Sequence, residues 1–208
     1  MRGTQHLLVG ASIGGALAYL GNTEISSAAL IVGVSSFASL APDLDTNGKL
    51  ARRMTVSHTV VRQLIFILGA CIAAYVSFFQ DEMIWIGVGI FIGAIFLSRR
   101  FITPKSMNLL TAACLIGAGM YVSILWLIGL GLFCAVAALS AHRGITHSFV
   151  GLLFFSWIAS SAESYYAVDG VFLAAVLGYI SHLVLDMRLL PFNKRGVKWL
   201  YPVLKKEW

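Results

Sequence analysis

LLTAACLIGAGMYVSILWLIGLGLFCAVAALS, residues 109–140, carries no ionisable Asp, Glu, Lys, Arg or His from end to end. At about 1.5 Å of rise per residue it is too long for one helical crossing of a hydrocarbon core about 30 Å thick. Dividing it near Ser123 makes two crossings. That division decides the count for the whole chain, because an even number of spans keeps Arg143 on the side of the other basic residues. Working outward, apolar runs at 7–21, 25–41, 60–79, 83–98, 107–123, 124–140, 148–162 and 170–187 read as transmembrane helices. Continuous apolar runs without strict alternation point to helices rather than barrel strands. Several runs are short, about 15–17 residues against the usual 20 or so, so 7–21 and 25–41 also admit a re-entrant or partly buried reading. The expected fold is all-α: a polytopic helical bundle of about eight spans, with residues 1–208 forming a single membrane-embedded domain.

Composition agrees. Hydrophobic residues make up 59% of the chain and charged residues 12%, with a mean hydropathy of +0.85. Soluble domains average roughly 45–50% apolar and about 25% charged. Threaded up and down from a cytoplasmic N-terminus, the spans leave every basic residue inside: Arg2, Lys49, Arg52, Arg53, Arg62, Arg99, Arg100, Lys105, Arg143, Arg188, Lys194, Arg195, Lys198, Lys205 and Lys206. The opposite loops carry Glu24, Asp81, Glu82, Glu163 and Asp169. Enrichment of Lys and Arg in cytoplasmic loops sets orientation, so both termini are expected inside. The net charge of +6 is therefore a topology signal, and nucleic acid is not an expected partner. Arg2, the apolar run from Leu7 and Ala16-Leu17-Ala18 have the outline of a cleavable leader. The single basic residue is thin for one, and cleavage would undo the charge segregation, so the segment is read as a span.

Cys71, Cys114 and Cys134 fall singly in apolar spans and read as small core residues rather than disulfide partners or a zinc knuckle. Gly10 with Gly14, and Gly89 with Gly93, have the spacing of close helix packing in lipid. Between Pro191 and Trp208 the tail mixes Lys194, Arg195, Lys198, Lys205 and Lys206 with Phe192, Trp199, Tyr201 and Trp208. That mixture favours the interfacial plane and anionic lipid headgroups.

Three short strings carry the chemistry. Ala41-Pro42-Asp43-Leu44-Asp45 closes the second span, and two carboxylates there need water or a metal. Pro42 disfavours helix at Ala41, so Asp43 and Asp45 are expected in a turn, where they can address one metal or two adjacent ones. The alternative is a solvated turn with a capping Asp. In His142-Arg143-Gly144-Ile145-Thr146-His147-Ser148 the two histidines are five apart and do not share a helix face. A turn between two spans nevertheless puts them at one depth. Gly144 permits the turn, Thr146 or Ser148 can cap the next helix, and Arg143 offers a fork for phosphate or carboxylate. In Gly178-Tyr179-Ile180-Ser181-His182-Leu183-Val184-Leu185-Asp186, His182 and Asp186 lie on one helix face. They can both bind a metal, or the carboxylate can orient the imidazole. The threading brings His6 to the same face, and His58 is left outside the group. These donors suffice for one or two divalent ions. Imidazole with carboxylate suits zinc, manganese or iron; zinc or manganese is expected, with magnesium also admitted.

MRGTQHLLVGA, APDLD, HRGITHS, GYISHLVLD and the later GVKWLYP together resemble the bacterial YdjM-type membrane proteins, described as metal-dependent inner-membrane hydrolases. An early His, a PDxD segment and a later SHxxxD are also similar, more distantly, to the zinc-dependent phospholipases C. The resemblance implies a bacterial inner-membrane location and metal roles for His6, Asp43, Asp45, His142, His147, His182 and Asp186. Two departures stand out: Thr46 occupies a place where the family often has His, and nearly a hundred residues separate APDLD from HRGITHS.

The expected activity is hydrolysis of a phosphoester in a membrane lipid or lipid-linked substrate at the cytoplasmic interface. His6, Asp43, His147, His182 and Asp186 are the expected direct ligands. Asp45 would bridge a second metal or act as general base, His142 would bind metal or protonate the leaving group, and Arg143 would hold the phosphate charge. A transporter using the same residues, or a non-catalytic regulator with a structural metal, are the alternatives. Ligands gathered at one face, with no inverted repeat, count against transport.

Overall fold

Each described helix begins and ends near a boundary that its apolar pattern marks. The computed structural model describes residues 3–45, 57–79, 84–140, 143–188, 196–204 and 206–208, with only the backbone described at Asp45. The described secondary structure is entirely helical: α1 (Gly3–Leu20), α2 (Ile25–Ala38), α3 (His58–Phe79), α4 (Ile84–Phe101), α5 (Pro104–Tyr121), α6 (Leu125–Leu139), α7 (Phe149–Tyr166) and α8 (Val171–Leu185). Short 3-10 turns occupy Ala41–Asp45 and Ile145–His147. The long run at 109–140 breaks where expected, with Ser123 in the left-handed region at φ 56. α5 opens on a capping box in which Thr103 Oγ1 accepts from the Ser106 amide and Ser106 Oγ from the Thr103 amide, with proline in the first turn. α2 stops at Ala38, earlier than its apolar run suggests, because the chain tightens into the 3-10 turn that carries Asp43. By length and composition α3 and α4 can cross a membrane; α2, α6 and α8 are apolar but shorter.

Three helices set the geometry of the molecule. α1 packs antiparallel on α2, and α2 runs parallel to α8, in rungs about one helical turn apart. Ala18, Ile31 and Ala174 form one buried rung. At the next, a Cβ on Gly14 would stand 2.7 Å from Val32 Cα, and one on Gly178 would stand 2.4 Å from the Ser35 carbonyl oxygen. At the third, a Cβ on Gly10 would meet Ser39 Oγ at 2.4 Å, while His182 reaches the Ser39 carbonyl. The fourth rung holds His6, Asp43 and Asp186. The spacing of four that links Gly10 to Gly14 thus also delivers His6, and the spacing that links Ala174 to Gly178 also delivers His182 and Asp186. Around this trio, Phe133 of α6 meets Phe155 of α7 and Tyr179 of α8 edge-to-face, burying the apolar centre.

α3 and α4 form a hairpin that packs chiefly on itself, with Gly69 against Ala94 and Gly87 against the backbone of Ala73. Gly89 and Gly93 have no atom within 4 Å of a built Cβ, so this second small-residue pair makes no helix contact within the described chain. Cys134 is a core residue as expected, whereas Cys71 and Cys114 are exposed on outward helix faces.

Gly178→Ala is expected to push α2 and α8 apart at a cost of about 1–3 kcal/mol, the usual penalty of overpacking. Gly89→Ala should be neutral. Thermal unfolding in detergent compares them, and equal midpoints would show that α2 and α8 do not approach as closely as the structure has it.

Candidate metal centre

The site lies where the N-terminal end of α1, the C-terminal end of α8 and both 3-10 turns meet. His6, His147, His182 and Asp186 are buried, and the Asp43 side chain keeps 25% of its surface exposed. The four turns and helix ends position these groups by different means. Burial of α1 against α2 points His6 inward. His182 rides on the most buried face of α8, and Asp186 caps that helix one turn later. His147 is delivered by the turn between α6 and α7, which ends as Ser148 caps α7: its hydroxyl accepts from the Gly151 amide and donates to the Ile145 carbonyl. In that turn the left-handed conformation falls on Arg143, at φ 60, rather than on Gly144, at φ −91.

His182 is the hub. Its Nδ1 lies 2.7 Å from the Ser39 carbonyl, which can only accept, so Nδ1 carries the proton. The lone pair of the neutral ring is then on Nε2. That atom faces His147 Nε2 at 3.3 Å, Asp43 Oδ1 at 3.7 Å and Asp186 Oδ2 at 3.8 Å. A lone pair aimed at two carboxylates and a second imidazole nitrogen calls for a positive partner, which a proton on His147 Nε2 or a cation among the four atoms supplies. An imidazole whose far nitrogen donates to a backbone carbonyl is also how metal-binding histidines are held. His147 Nε2 stands 3.7 Å from Asp43 Oδ1, and its Nδ1 meets the Thr146 hydroxyl at 3.2 Å. His6 stacks on His182 with centroids 4.0 Å apart, and its Nε2 lies 3.4 Å from Asp186 Oδ1. Two overlapping groups can hold a metal ion: Asp43 with His147 and His182, and His6 with His182 and Asp186. The donor set fits a divalent metal ion.

Burial alone would raise the Asp43 carboxyl, but the hydrogen bond from His147 and the field of the two imidazoles outweigh it and hold the group below its ordinary value. Asp43 is therefore anionic at neutral pH, as a metal ligand must be. Arg143 stands beside Asp186, with Nη2 3.1 Å from Oδ2 and Nη1 donating to the Gly196 carbonyl at 3.2 Å.

The structure thus gathers five of the seven residues expected to bind metal, His6, Asp43, His147, His182 and Asp186, with Arg143 against them. His142, Thr46 and the side chain of Asp45 lie outside the described residues. His58 lies outside the cluster, near Thr59. Several contributors escaped the reading of the sequence. The carbonyls of Ser39 and Gly196 leave no trace in residue identity. Tyr179 did leave a signal: a tyrosine in an apolar helix one turn before His182 needs a partner for its hydroxyl. It donates to the Thr146 carbonyl and so ties the His147 turn to α8. The tail also closes on this end, since the Phe149 amide donates to the Trp199 carbonyl and Val197 pairs with Trp208.

Fold and site define an all-helical protein with a buried histidine–carboxylate cluster at one end of its bundle. The chain belongs to the YdjM inner membrane protein family, whose profile matches residues 1–208. No curated protein and no solved structure matches it, so the likeness to phospholipases C gains no support from these comparisons.

Tyr179→Phe is expected to loosen the His147 turn and weaken metal affinity about 10- to 100-fold, the range for residues that support ligands. Competition against a chromophoric chelator measures it. Unchanged affinity would remove Tyr179 from the support of the site.

Proposed function

We propose that this protein is a multi-pass membrane hydrolase that uses a divalent metal to cleave a phosphoester in a lipid or lipid-linked substrate. The observation that carries this reading is the convergence on His182 Nε2 of two carboxylates and a second imidazole. A divalent ion there would supply Lewis acidity toward a phosphoryl oxygen and a water acidic enough to attack near neutral pH. Asp43, His147 and His182 bind it, Asp43 also giving the partly exposed edge through which a headgroup enters. Arg143 acts through Asp186, holding its charge and direction. Asp45 as general base and His142 as proton donor to the leaving group complete the proposal. In this reading eight spans cross the inner membrane with both termini cytoplasmic, and the tail's cations, such as Lys206 over the Trp208 ring, meet anionic headgroups.

Purified protein given a panel of phospholipids and polyprenyl phosphates should release phosphate or a phosphorylated headgroup only with metal present. His182→Ala should abolish turnover, and Arg143→Ala should lower it about 10- to 100-fold. Absence of metal-dependent turnover across the panel would overturn the hydrolase reading, and metal flux in proteoliposomes would then favour transport.

The topology has its own check. Cysteines placed near Glu82 and Asp169 should label from outside intact cells, and those near Lys49 and Arg143 only after permeabilisation. External labelling near Arg143 would invert the arrangement.

A further inference from the structure

We propose that the cluster holds a single divalent ion, between Asp43, His147 and His182, and that the Arg143 guanidinium takes the place a second cation would occupy. The inference rests on the metal-centre reading above and goes beyond it in fixing the number of ions. Both potential metal groups draw on His182. With Nδ1 committed to the Ser39 carbonyl, His182 has one lone pair, on Nε2, and a lone pair in the ring plane serves one ion.

The spacing says which group receives it. Bonds of about 2.0–2.2 Å to tetrahedral zinc put neighbouring donor atoms about 3.3–3.6 Å apart. His182 Nε2 and His147 Nε2 are 3.3 Å apart, and each lies 3.7 Å from Asp43 Oδ1. These three atoms form one face of such a tetrahedron to within a few tenths of an ångström. Asp186 Oδ2, 3.8 Å from His182 Nε2, flanks it.

Among the described residues, His6 Nε2 and Asp186 Oδ1 remain for a second ion. The other oxygen of Asp186 is already met by Arg143 at 3.1 Å. An added dication would share that carboxylate with a guanidinium that has no neutral form near pH 7. His6 instead stacks on His182 and contacts Asp186, so it positions both without owning an ion.

The test counts metal. Full-length protein in detergent is stripped with chelator, reloaded with Mn2+, desalted, and measured by elemental analysis and electron paramagnetic resonance. One Mn2+ per chain with an uncoupled spectrum is expected. His182→Ala should retain none, and His6→Ala should still retain one with weaker affinity. Correct folding of each variant is checked by its elution profile and helical circular dichroism. Two ions per chain, an exchange-coupled spectrum, or a drop from two to one in His6→Ala would overturn the proposal while leaving metal-dependent hydrolysis standing. One ion without lipid turnover would do the reverse. No retained ion would overturn both.

Discussion

The structure depends on how closely the backbones of α1, α2 and α8 approach one another. Small residues at helix contacts let backbones approach closely, and such packing holds helices together even where their surroundings are apolar. Gly10, Gly14 and Gly178 remove the side chains that would hold the three helices apart, and any Cβ there would meet backbone or Ser39 well inside contact distance. Because the rungs repeat about once per turn, closeness at Gly10 and Gly178 fixes the level and the facing of His6 and His182. Packing and chemistry are one periodicity. The donors are the continuation of the glycine stripe beyond the point where the helices need to touch.

Orientation of the donors follows from a second constraint, the obligation of buried polar groups to find partners. The end of α2 leaves its carbonyls unsatisfied by the helix, and one of them, on Ser39, takes the proton of His182 Nδ1. A helix terminus thereby selects a tautomer. The hydroxyl of Tyr179 serves the Thr146 carbonyl in the neighbouring turn, and the guanidinium of Arg143 serves both Asp186 and the Gly196 carbonyl. Each of these contacts joins segments distant in the chain, so the cluster is held from several directions at once.

Much of this was legible in the sequence. The apolar runs mark the eight described helices, most of whose ends lie beside Gly21, Glu24, Ser39, Thr103, Ser123, Ser140, Ser148, Gly170 and Asp186. The break at Ser123 needed the charge pattern as well, since nothing in the apolar composition of 109–140 requires it. His182 and Asp186 were readable as a pair from their spacing alone. His147 was readable only through the assumption of a turn. What could not be read is what depends on backbone atoms: the Ser39 and Gly196 carbonyls carry no residue signature. Nor could the sequence tell Gly10 and Gly14, which pack, from Gly89 and Gly93, which do not, because spacing identifies a groove without naming what fills it.

The α3–α4 hairpin carries none of the described donors and leans mainly on itself. It meets the rest of the chain through residues 46–57 on one side and the short turn at 102–103 on the other, with Arg62 tying its two helices together at the Arg99 carbonyl. The described donors therefore all lie outside this hairpin. Of the long insertion between the two halves of the site, the hairpin stands apart while α6 packs back on the 3-10 turn that carries Asp43, so the ligands meet in space although nearly a hundred residues separate them.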